Sequence, residues 1–499
     1  MPDNQYDIII IGSGLGGLEC GVILGKEGYR VCVAEQAHTP GGCLQSFERD
    51  GRVIDTGLHY AGSMGEGQIL RQYFTYLGVM DSLEASPMDS CFDMIELGKA
   101  GQYHYCSGYN HFYEYLTNLF PDEKEGIKKY LQKIHEIGSS ICVDNHSKGI
   151  LSAGAMPHLG ESAWGFIREC VTNPVLEQLL CATNLLYAGV RESSTLYHHA
   201  MTVHSNLEGA YRFAGGSRHI ARALTDKIKE QGGTVLTNSK VVALHTHGNR
   251  IQSLRLENGE LLFANQFISD IHPAATFSLI NDTPAIKKAF RTRLLLLPDT
   301  YSVFSVYLVM KENTSRYENR NFYFYNECNS WDTVMGRNCT QPKMTMLSFQ
   351  RKNKKALFTD VATRMTPMSF CDFEQWAGTS VGKRGEDYGE LKTELIQKIT
   401  NFTYARHAGL REAVEKVYAA SPLTYLNYLG TRSGSAYGLL KDCRNPMATL
   451  FPARTKLENL LLTGQNLNVH GALGVTLSAA VTCSELIGGE YLAKKVASV

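Results

Sequence analysis

Three glycines near the N-terminus have the spacing that the phosphates of a dinucleotide require. Gly12, Gly14 and Gly17 form a GxGxxG pattern, and Glu35 follows at the spacing of a ribose-binding acid. The first glycine permits a tight turn, the second lets the backbone approach a pyrophosphate, and the third lets a helix pack closely on a strand. An acid at position 35 favours FAD or NAD over a cofactor with a 2′-phosphate. The pattern predicts dinucleotide redox chemistry.

The elements around these glycines have the order that such a site needs. Residues 6–11 form a mostly β-branched run, which predicts a buried parallel strand. Apolar residues then recur at helical spacing (Leu18, Val22, Ile23), and Gly28 ends the predicted helix before a second strand, RVCVAE. A purely structural glycine turn is the alternative, but it does not explain the strand, the helix and the acid together. We therefore favour a βαβ nucleotide-binding unit whose helix N-terminus faces the phosphates.

The composition argues against several other classes of protein. The 499 residues include 49 Lys and Arg and 49 Asp and Glu, so the formal net charge is zero. Nucleic-acid binding rests on clustered positive charge, and we expect no nucleic-acid partner because the sequence has no long basic run. The 13 cysteines contain no CxxC pair, which argues against a disulfide framework and against zinc or iron–sulfur sites. Such cysteine usage suits a reducing compartment, and we predict a cytoplasmic protein.

The sequence predicts no membrane-spanning helix. A span needs about 18 or more uninterrupted apolar residues, and the most apolar stretch, 294–310, is interrupted by Pro298 and Asp299. We interpret that stretch as two core strands. The N-terminus lacks the basic, apolar and small-residue blocks of a signal peptide. An amphipathic helix lying on a membrane surface stays compatible with the sequence.

A glycine doublet follows the predicted βαβ unit. Gly41 and Gly42 come after Pro40, and the next segment, SFERDGRVIDTGLHYAGS, contains His59 and Tyr60. On these residues the sequence resembles the superfamily of flavin-dependent amine oxidases and phytoene desaturases, and within it the retinol saturases and the carotenoid isomerases. The resemblance implies FAD as the cofactor. Many members of the superfamily have Arg after the doublet, where this chain has Cys.

Two later segments carry the same resemblance. AGGSRHIARALTDKIKEQGGTVLTNSKVVAL predicts a glycine turn, an amphipathic helix that stops at Gly232 and Gly233, and an antiparallel strand pair. FISDIHP matches a strand leading back towards the flavin, and NLLLTGQNLNVHGALGVTLSAA predicts a strand ending in Thr-Gly and a helix beginning near Gly474. Many flavoproteins have an acid where this chain has Gln465. The resemblance implies cofactor contacts at Gly12, Gly14, Leu15, Gly16, Gly17, Glu35, Gln36, Gly41, Gly42, Cys43, His59, Tyr60, Val241, Gly464, Gln465, Gly471, Gly474 and Val475.

The resemblance also implies the domain organisation. The expected fold is α/β, with a Rossmann-like FAD-binding domain of the GR2 type interleaved with an α+β substrate domain. The predicted FAD-binding parts are 1–75, 205–285 and 430–499. The substrate domain would have a helical part, 76–204, and a sheet part, 286–429, with strands at YSVFSVYLVM, NFYFYN and MTMLSF and a helix at YGELKTELIQKITNF. We expect this sheet to cover the flavin.

Four polar side chains are candidates for catalysis. His59, Tyr60, Tyr437 and His470 are predicted near the flavin, where one of them could donate the proton that saturation of an alkene needs. Each also has a structural interpretation, such as a bond to the backbone for His59 or packing against the flavin ring for Tyr437. The pair His198-His199 has no Asp, Glu or Cys at ligand spacing, so we interpret it as core or surface histidines and predict no metal site.

The function predicted from these features is oxidation–reduction of an apolar substrate. The sequence has one dinucleotide cradle, which FAD fills, so NAD(P)H is expected only as a transient reductant. We favour an FAD-dependent oxidoreductase that saturates a C=C bond of a polyene, with desaturation and reduced-flavin isomerisation as alternatives. A non-catalytic prenyl or lipid carrier of the same fold is the alternative from another class. An apolar substrate implies peripheral membrane contact, and the sequence gives no prediction of the oligomeric state.

Overall fold

Two seven-stranded sheets organise the chain in the computed structural model, which describes residues 5–140, 156–281 and 283–499. The strands are β1 Gln5–Ile11, β2 Val31–Ala34, β3 Ser46–Arg49, β4 Arg52–Asp55, β5 Ala85–Pro87, β6 Cys91–Leu97, β7 Gln102–Cys106, β8 Tyr211–Phe213, β9 Thr234–Leu236, β10 Val241–His247, β11 Arg250–Leu256, β12 Leu261–Ser269, β13 Ser302–Met310, β14 Asn321–Tyr325, β15 Met344–Gln350, β16 Val361–Met368, β17 Val414–Ala420 and β18 Leu460–Leu462. Two further strand pairs, β3 with β4 and β5 with β8, stand outside these sheets.

Helices cover both sheets. They are α1 Leu15–Lys26, α2 Ile69–Leu77, α3 Tyr109–Leu119, α4 Lys124–Ser139, α5 Met156–Leu159, α6 Ala163–Cys170, α7 Pro174–Leu180, α8 Leu196–Glu208, α9 Arg218–Glu230, α10 Pro273–Ser278, α11 Lys288–Leu296, α12 Glu386–Tyr404, α13 Leu410–Ala413, α14 Pro422–Leu429, α15 Pro446–Thr449, α16 Gly471–Ile487 and α17 Gly489–Ala497. Within the described part of the chain, no helix is long and apolar enough to cross a membrane.

The first sheet has the predicted Rossmann-like character. Its order is β10-β11-β12-β1-β2-β9, with β18 beside β12, and β18, β12, β1, β2 and β9 run parallel. Strand β1 is buried on both faces, as parallel strands between two layers are. Ile8 and Ile10 pack in one core with α1 and α16, and Ile9 and Ile11 pack in another with β10 and β11. The α/β fold class and the strand predicted at 6–11 are confirmed.

The second sheet has the order β17-β13-β16-β15-β14-β6-β7, with β14 and β6 parallel and the other neighbours antiparallel. One face packs against α12, where Leu347 of β15 shares a core with Leu395 and Ile399. The strands predicted at YSVFSVYLVM, NFYFYN and MTMLSF are confirmed as β13, β14 and β15, and the helix predicted at YGELKTELIQKITNF is confirmed as α12.

Two regions have a different secondary structure from the one predicted. The block 76–204, predicted as helical, also supplies β6 and β7, which extend the second sheet; residues 141–155 of this block lie outside the described residues. The apolar stretch 294–310 is not two strands, because Leu294 and the two residues after it end helix α11 and only β13 is extended. Arg432 holds this helix end by donating to the carbonyl oxygen of Leu295 at 2.9 Å.

One strand pairing and one pair of cysteines also differ from prediction. The segment after Gly233 is not an antiparallel pair with β10: β9 extends the parallel sheet beside β2, and β10 pairs with β11 instead. Helix α9 packs against α1 in one core and leads the chain directly into β9, which joins the edge of the sheet beside β2. Against the expectation of no disulfide framework, one disulfide joins Cys91 to Cys106, which the β6–β7 register places opposite each other, while the other described cysteines are free.

Candidate active site

A cavity of about 500 Å³ has walls from both large sheets. Ile11 and Ala34 border it from the first sheet, and Val303, Met346 and Met365 border it from the second. Most of the residues predicted to hold the cofactor line this cavity, as do all four predicted catalytic residues. The predicted cofactor residues that do not line it are Gly16, Gly17 and Gly464.

The three glycines of the first motif shape the turn between β1 and α1. Gly12 has φ +95°, a conformation that side-chain-bearing residues rarely adopt, and its N–H donates to the carbonyl oxygen of Ala34 at 2.9 Å. A Cβ atom at Gly17 would collide with the carbonyl oxygen of Gly12. The turn therefore closes tightly, and the N-terminus of α1, whose first N–H groups have no acceptor within the helix, borders the cavity at Gly14 and Leu15.

The acid at the end of β2 is held by the turn that it faces. Glu35 accepts hydrogen bonds from the Ser13 N–H at 3.0 Å, from the Ser13 hydroxyl at 2.6 Å and from the Ala37 N–H at 2.7 Å. Its neighbours Gln36 and Val241 also line the cavity. A carboxylate fixed in this way keeps lone pairs for the hydroxyls of a ribose.

The glycine doublet lies directly against the first motif. The Gly41 N–H donates to the carbonyl oxygen of Ser13 at 2.9 Å, and a Cβ atom at Gly42 would lie 3.1 Å from the Cα of Gly14. The two backbone segments can approach only because neither carries a side chain here. Cys43 follows, and burial raises the pKa of its thiol to about 11, so the position carries no charge at neutral pH.

The C-terminal segment completes the cavity with a second helix N-terminus. The structure begins α16 at Gly471 rather than at the predicted Gly474, because extended backbone at His470 and a positive φ at Gly471 turn the chain into the helix there. Gly471, Gly474 and Val475 line the cavity, as does Gln465. The positive end of the helix dipole therefore faces the cavity and favours negative charge in it.

Two of the catalytic candidates are neutral histidines, of which His470 is buried and His59 is half-buried. Burial and the nearby Arg212 charge lower the pKa of His59 to about 4, and its Nε2 has no hydrogen-bond partner among the described residues. Burial and the charges of His198 and Lys441 hold the pKa of His470 well below its ordinary value. Neutral imidazoles are weak proton donors, which makes both residues poor general acids.

The other two candidates are tyrosines. The ring centroid of Tyr437 lies 5.6 Å from that of His470, and burial holds the pKa of its phenol above the ordinary value. The Tyr60 hydroxyl donates to Asp93 Oδ2 at 2.9 Å and lies 2.8 Å from the Tyr323 hydroxyl. Tyr60 is thus the candidate whose hydroxyl already stands in a hydrogen-bond network.

The neighbouring histidine pair has structural partners. His198 Nε2 lies 2.7 Å from the Asn468 carbonyl oxygen, and its Nδ1 lies 2.6 Å from the Thr195 hydroxyl. His199 lies between the hydroxyls of Tyr130, at 2.9 Å, and Tyr187, at 3.0 Å. Both rings are core residues, as the sequence interpretation held.

Sequence reasoning missed two acids, the half-buried Asp270 and the fully buried Asp93. Asp270 follows β12, lines the cavity, and accepts hydrogen bonds from the N–H groups of Gly14 and Gly17; burial raises its pKa to about 7. Asp93 lies in β6, and burial raises its pKa to about 7 as well. A signal existed for each: Asp270 follows a predicted strand of the nucleotide-binding sheet, and Asp93 interrupts the apolar run of CFDMIEL.

The comparisons with known proteins agree with this geometry. Residues 10–77 match the NAD(P)-binding Rossmann-like domain family. The all-trans-retinol 13,14-reductase of Rattus norvegicus is 28% identical, with 97% of this chain and 86% of the relative covered, and the prolycopene isomerase 1 of an Oncidium hybrid cultivar is 25% identical, with 99% and 86% covered. A solved oxidoreductase from Methanosarcina mazei has the same fold at a TM-score of 0.60 and 14% identity, with 95% of this chain and 98% of that chain covered. Over nearly its whole length this chain is therefore similar to all-trans-retinol 13,14-reductases and prolycopene isomerases, which supports an FAD-dependent oxidoreductase.

Proposed function

We propose that this protein is an FAD-dependent oxidoreductase that saturates a C=C bond of an apolar polyene. The observation that carries the proposal is one cavity with two kinds of wall. Glycine loops and two helix N-termini border it from the first sheet, and apolar side chains such as Leu186, Met201 and Met346 border it elsewhere. A phosphate-binding rim joined to an apolar chamber suits a dinucleotide that reacts with a hydrophobic substrate.

The residues of the glycine loops fit FAD. Backbone without side chains at Gly14 and Gly42 leaves room for a pyrophosphate, and the N–H groups at the start of α1 would bind it. Glu35 would accept the ribose hydroxyls, and the N-terminus of α16 would lie beside the electron-rich edge of the isoalloxazine ring. When bound, the flavin supplies the two-electron redox chemistry.

The protein's own part is to bind and orient the substrate, exclude water and place one proton. Val303, Met346 and Met365 offer an apolar surface on which a polyene loses contact with water. Among the cavity tyrosines and histidines, the phenols keep their protons at neutral pH while the imidazoles are already neutral. A phenol is therefore the better candidate for the proton donor.

The choice of reaction within this class rests on the relatives. The relatives named all-trans-retinol 13,14-reductase are the more similar to this chain, which supports saturation of a retinoid-like polyene. The relative named prolycopene isomerase is almost as similar, so cis–trans isomerisation of a carotenoid-like polyene is the second candidate. Desaturation would use the same cavity in the opposite redox direction.

The first experiment is anaerobic. The purified protein is tested for flavin absorbance, reduced chemically, mixed with all-trans-retinol and followed at the oxidised flavin band. Return of the oxidised band together with a dihydro product supports saturation. A flavin that stays reduced while the polyene changes its double-bond geometry would support isomerisation instead. Protein that never takes up FAD would contradict the oxidoreductase and favour a lipid carrier of the same fold.

The reductant is a separate proposal. The sequence has a single dinucleotide-binding glycine motif, which is expected to hold FAD. NAD(P)H would therefore have to reach the flavin transiently. Anaerobic mixing of the flavoprotein with NADH or NADPH tests this: bleaching of the flavin with either supports a nicotinamide donor. A flavin that both nucleotides leave oxidised, but that a chemical reductant bleaches, would indicate another redox partner.

We also propose a peripheral position on the cytoplasmic face of a membrane, where an apolar substrate is available. The end of α11 supports this: Leu295 is 62% exposed and Leu296 is 78% exposed, and the side chains of Lys287, Lys288 and Arg293 are exposed beside them. Apolar side chains flanked by cations suit an anionic lipid surface.

Flotation with vesicles tests this position. We expect co-flotation with phosphatidylserine-containing vesicles, and its loss in the double variant Leu295→Ser, Leu296→Ser. Leu357→Ser is the matched control, because Leu357 is 77% exposed on a different segment. Equal flotation of all three proteins would show that this patch does not bind lipid.

A further inference from the structure

A buried polar cluster lies on the face of the second sheet that borders the cavity. Asp93 Oδ2 accepts the Tyr60 hydroxyl at 2.9 Å, and Asp93 Oδ1 accepts the Asn321 side-chain amide at 2.7 Å. The Tyr60 hydroxyl also lies 2.8 Å from that of Tyr323. Asp93, Asn321 and Tyr323 are fully buried, and Tyr60 is 7% exposed and lines the cavity.

The strand register places this cluster beside the substrate chamber. Residues paired across neighbouring strands share a face of a sheet, and so do residues two apart on one strand. Asp93 pairs with Asn321, Tyr323 pairs with Met346, and Met346 pairs with Met365. Both methionines line the cavity, so Asp93 and Tyr323 belong to the row of side chains that points towards it.

The groups around Asp93 decide its protonation. Burial raises its pKa to about 7, against the hydrogen bonds from Asn321 and Tyr60 and the positive charge of Arg212. Arg212 also donates to Asn321 Oδ1, and Tyr105 pairs with Asp93 from β7. Near neutral pH the carboxyl group therefore has both a protonated and an ionised population, which is what a proton reservoir needs.

We propose that Tyr60 donates the proton for saturation and that Asp93 returns a proton to it. This inference rests on the proposed function. Tyr60 is the catalytic residue in this scheme, because it is the member of the cluster that lines the cavity. Asp93 is a positioning residue and proton store that acts through Tyr60, and Tyr323 holds the Tyr60 oxygen in place.

The step balances in atoms and electrons. FAD, when bound and reduced, would supply a hydride; as the π bond of the alkene breaks, one carbon would take that hydride with both its electrons, and the Tyr60 O–H proton would form the C–H bond at the other carbon. Asp93 passes its proton along the existing hydrogen bond to the Tyr60 oxygen. Solvent reprotonates Asp93 between turnovers, so the net reaction consumes one hydride and one proton.

Single-turnover oxidation of the reduced protein by all-trans-retinol tests the scheme. In Tyr60→Phe we expect the rate of flavin oxidation to fall by about 10²–10⁴-fold, the contribution of a general acid, with little change in the retinol concentration for half-saturation. In Asp93→Asn we expect a slower rate that no longer declines as the pH rises through about 7. The matched control is Tyr325→Phe, because the Tyr325 hydroxyl bonds to the Ala182 carbonyl oxygen and not to the cluster.

An infrared measurement gives a second readout that does not depend on turnover. The oxidised wild-type protein should show the carbonyl band of a protonated buried carboxylic acid that disappears as the pH rises through about 7 and is absent in Asp93→Asn. The same band should shift in Tyr60→Phe, because its hydrogen-bond partner is removed. If Asp93→Asn fails to fold, the shift of this band in Tyr60→Phe still tests the proposal.

The outcomes separate the two proposals. Wild-type protein that binds FAD, but whose reduced flavin is not oxidised by retinol, would overturn the saturase function. If retinol oxidises the reduced wild-type protein, and the flavin of Tyr60→Phe is oxidised no more slowly than that of Tyr325→Phe, the saturase function stands but Tyr60 is not the proton donor. Absence of the Asp93 band would overturn the proton store alone.

Discussion

At the scale of single residues, we expect the addition of one methyl group at Gly14 to weaken cofactor binding. Its backbone angles suit any residue, so alanine adds no strain, but a Cβ atom there would collide with Asp270 Oδ2. We expect Gly14→Ala to weaken FAD binding at least about tenfold, or about 1.4 kcal/mol. Flavin fluorescence titration of the apoprotein measures this.

Gly25→Ala, near the C-terminal end of helix α1, is the matched control. Its Cβ would meet the Gln231 side-chain oxygen, which has no hydrogen-bond partner among the described residues and can move aside. Alanine inside a helix is favoured over glycine by about 0.5–1 kcal/mol, so this variant should keep both its fold and its FAD affinity. Equal FAD affinity in both variants would place the pyrophosphate away from Gly14.

At the same scale, we expect the carboxyl group of Asp270 to make the affinity for FAD depend on pH. Its carboxyl group bonds to the N–H groups of Gly14 and Gly17, where an anionic pyrophosphate is expected, and its pKa is raised to about 7. Below pH 7 the group is neutral, and above it an anion would repel the phosphates. We therefore expect FAD affinity to decline as the pH rises from 7 to 9, measured by titration. In Asp270→Asn this decline should vanish; a decline that persists would assign it to another group.

At the scale of elements, the contact between α1 and α16 depends on a buried acid. Glu19 is fully buried and accepts a hydrogen bond from the Thr476 hydroxyl at 2.7 Å, while its Oε2 has no partner among the described residues. Burial holds its pKa well above the ordinary value, so the folded protein favours the protonated form. Stability from this group is full below the ordinary pKa and is lost as the pH rises towards the raised one.

Glu19→Gln removes the titration while keeping the shape. We expect the free energy of unfolding of the variant to exceed that of the wild type by about 1 kcal/mol or more at pH 8, and the difference to shrink towards pH 4.5. Urea unfolding at both pH values measures this. A wild type that is the more stable at pH 8 would show that Glu19 is ionised and paired in the folded protein.

Elements with local signals could be predicted from the sequence, whereas those defined by distant partners could not. The turn at Gly12 and the helix after it follow from spacing within about thirty residues. Strand β9 pairs with β2 and not with β10 as predicted, because the packing of α9 against α1 brings it to that edge of the sheet, and its three residues alone do not specify a partner. Asp93 and Tyr60 were not connected, because only the fold brings β6 beside the loop before α2.

At the scale of the whole molecule, the first sheet takes strands from all three predicted FAD-binding parts of the chain. Strands β1 and β2 come from 1–75, β9 to β12 from 205–285, and β18 from 430–499. The second sheet likewise joins β6 and β7 to β13 through β17. Each sheet thus needs segments from distant parts of the chain, and the cavity needs both sheets, so we expect neither predicted domain to fold alone.

This interleaving predicts how FAD affects the stability of the whole chain. A ligand that binds only the folded state stabilises it by about 2.7 kcal/mol at a hundred times its dissociation constant. Because the residues that line the cavity come from all three predicted FAD-binding parts of the chain and from the second sheet, that stabilisation should apply to one cooperative transition. We expect calorimetry of the apoprotein to show one unfolding peak that moves to higher temperature as FAD is added. Two peaks, of which FAD moves only one, would show instead that the sheets unfold separately and that the cavity closes only after each has folded.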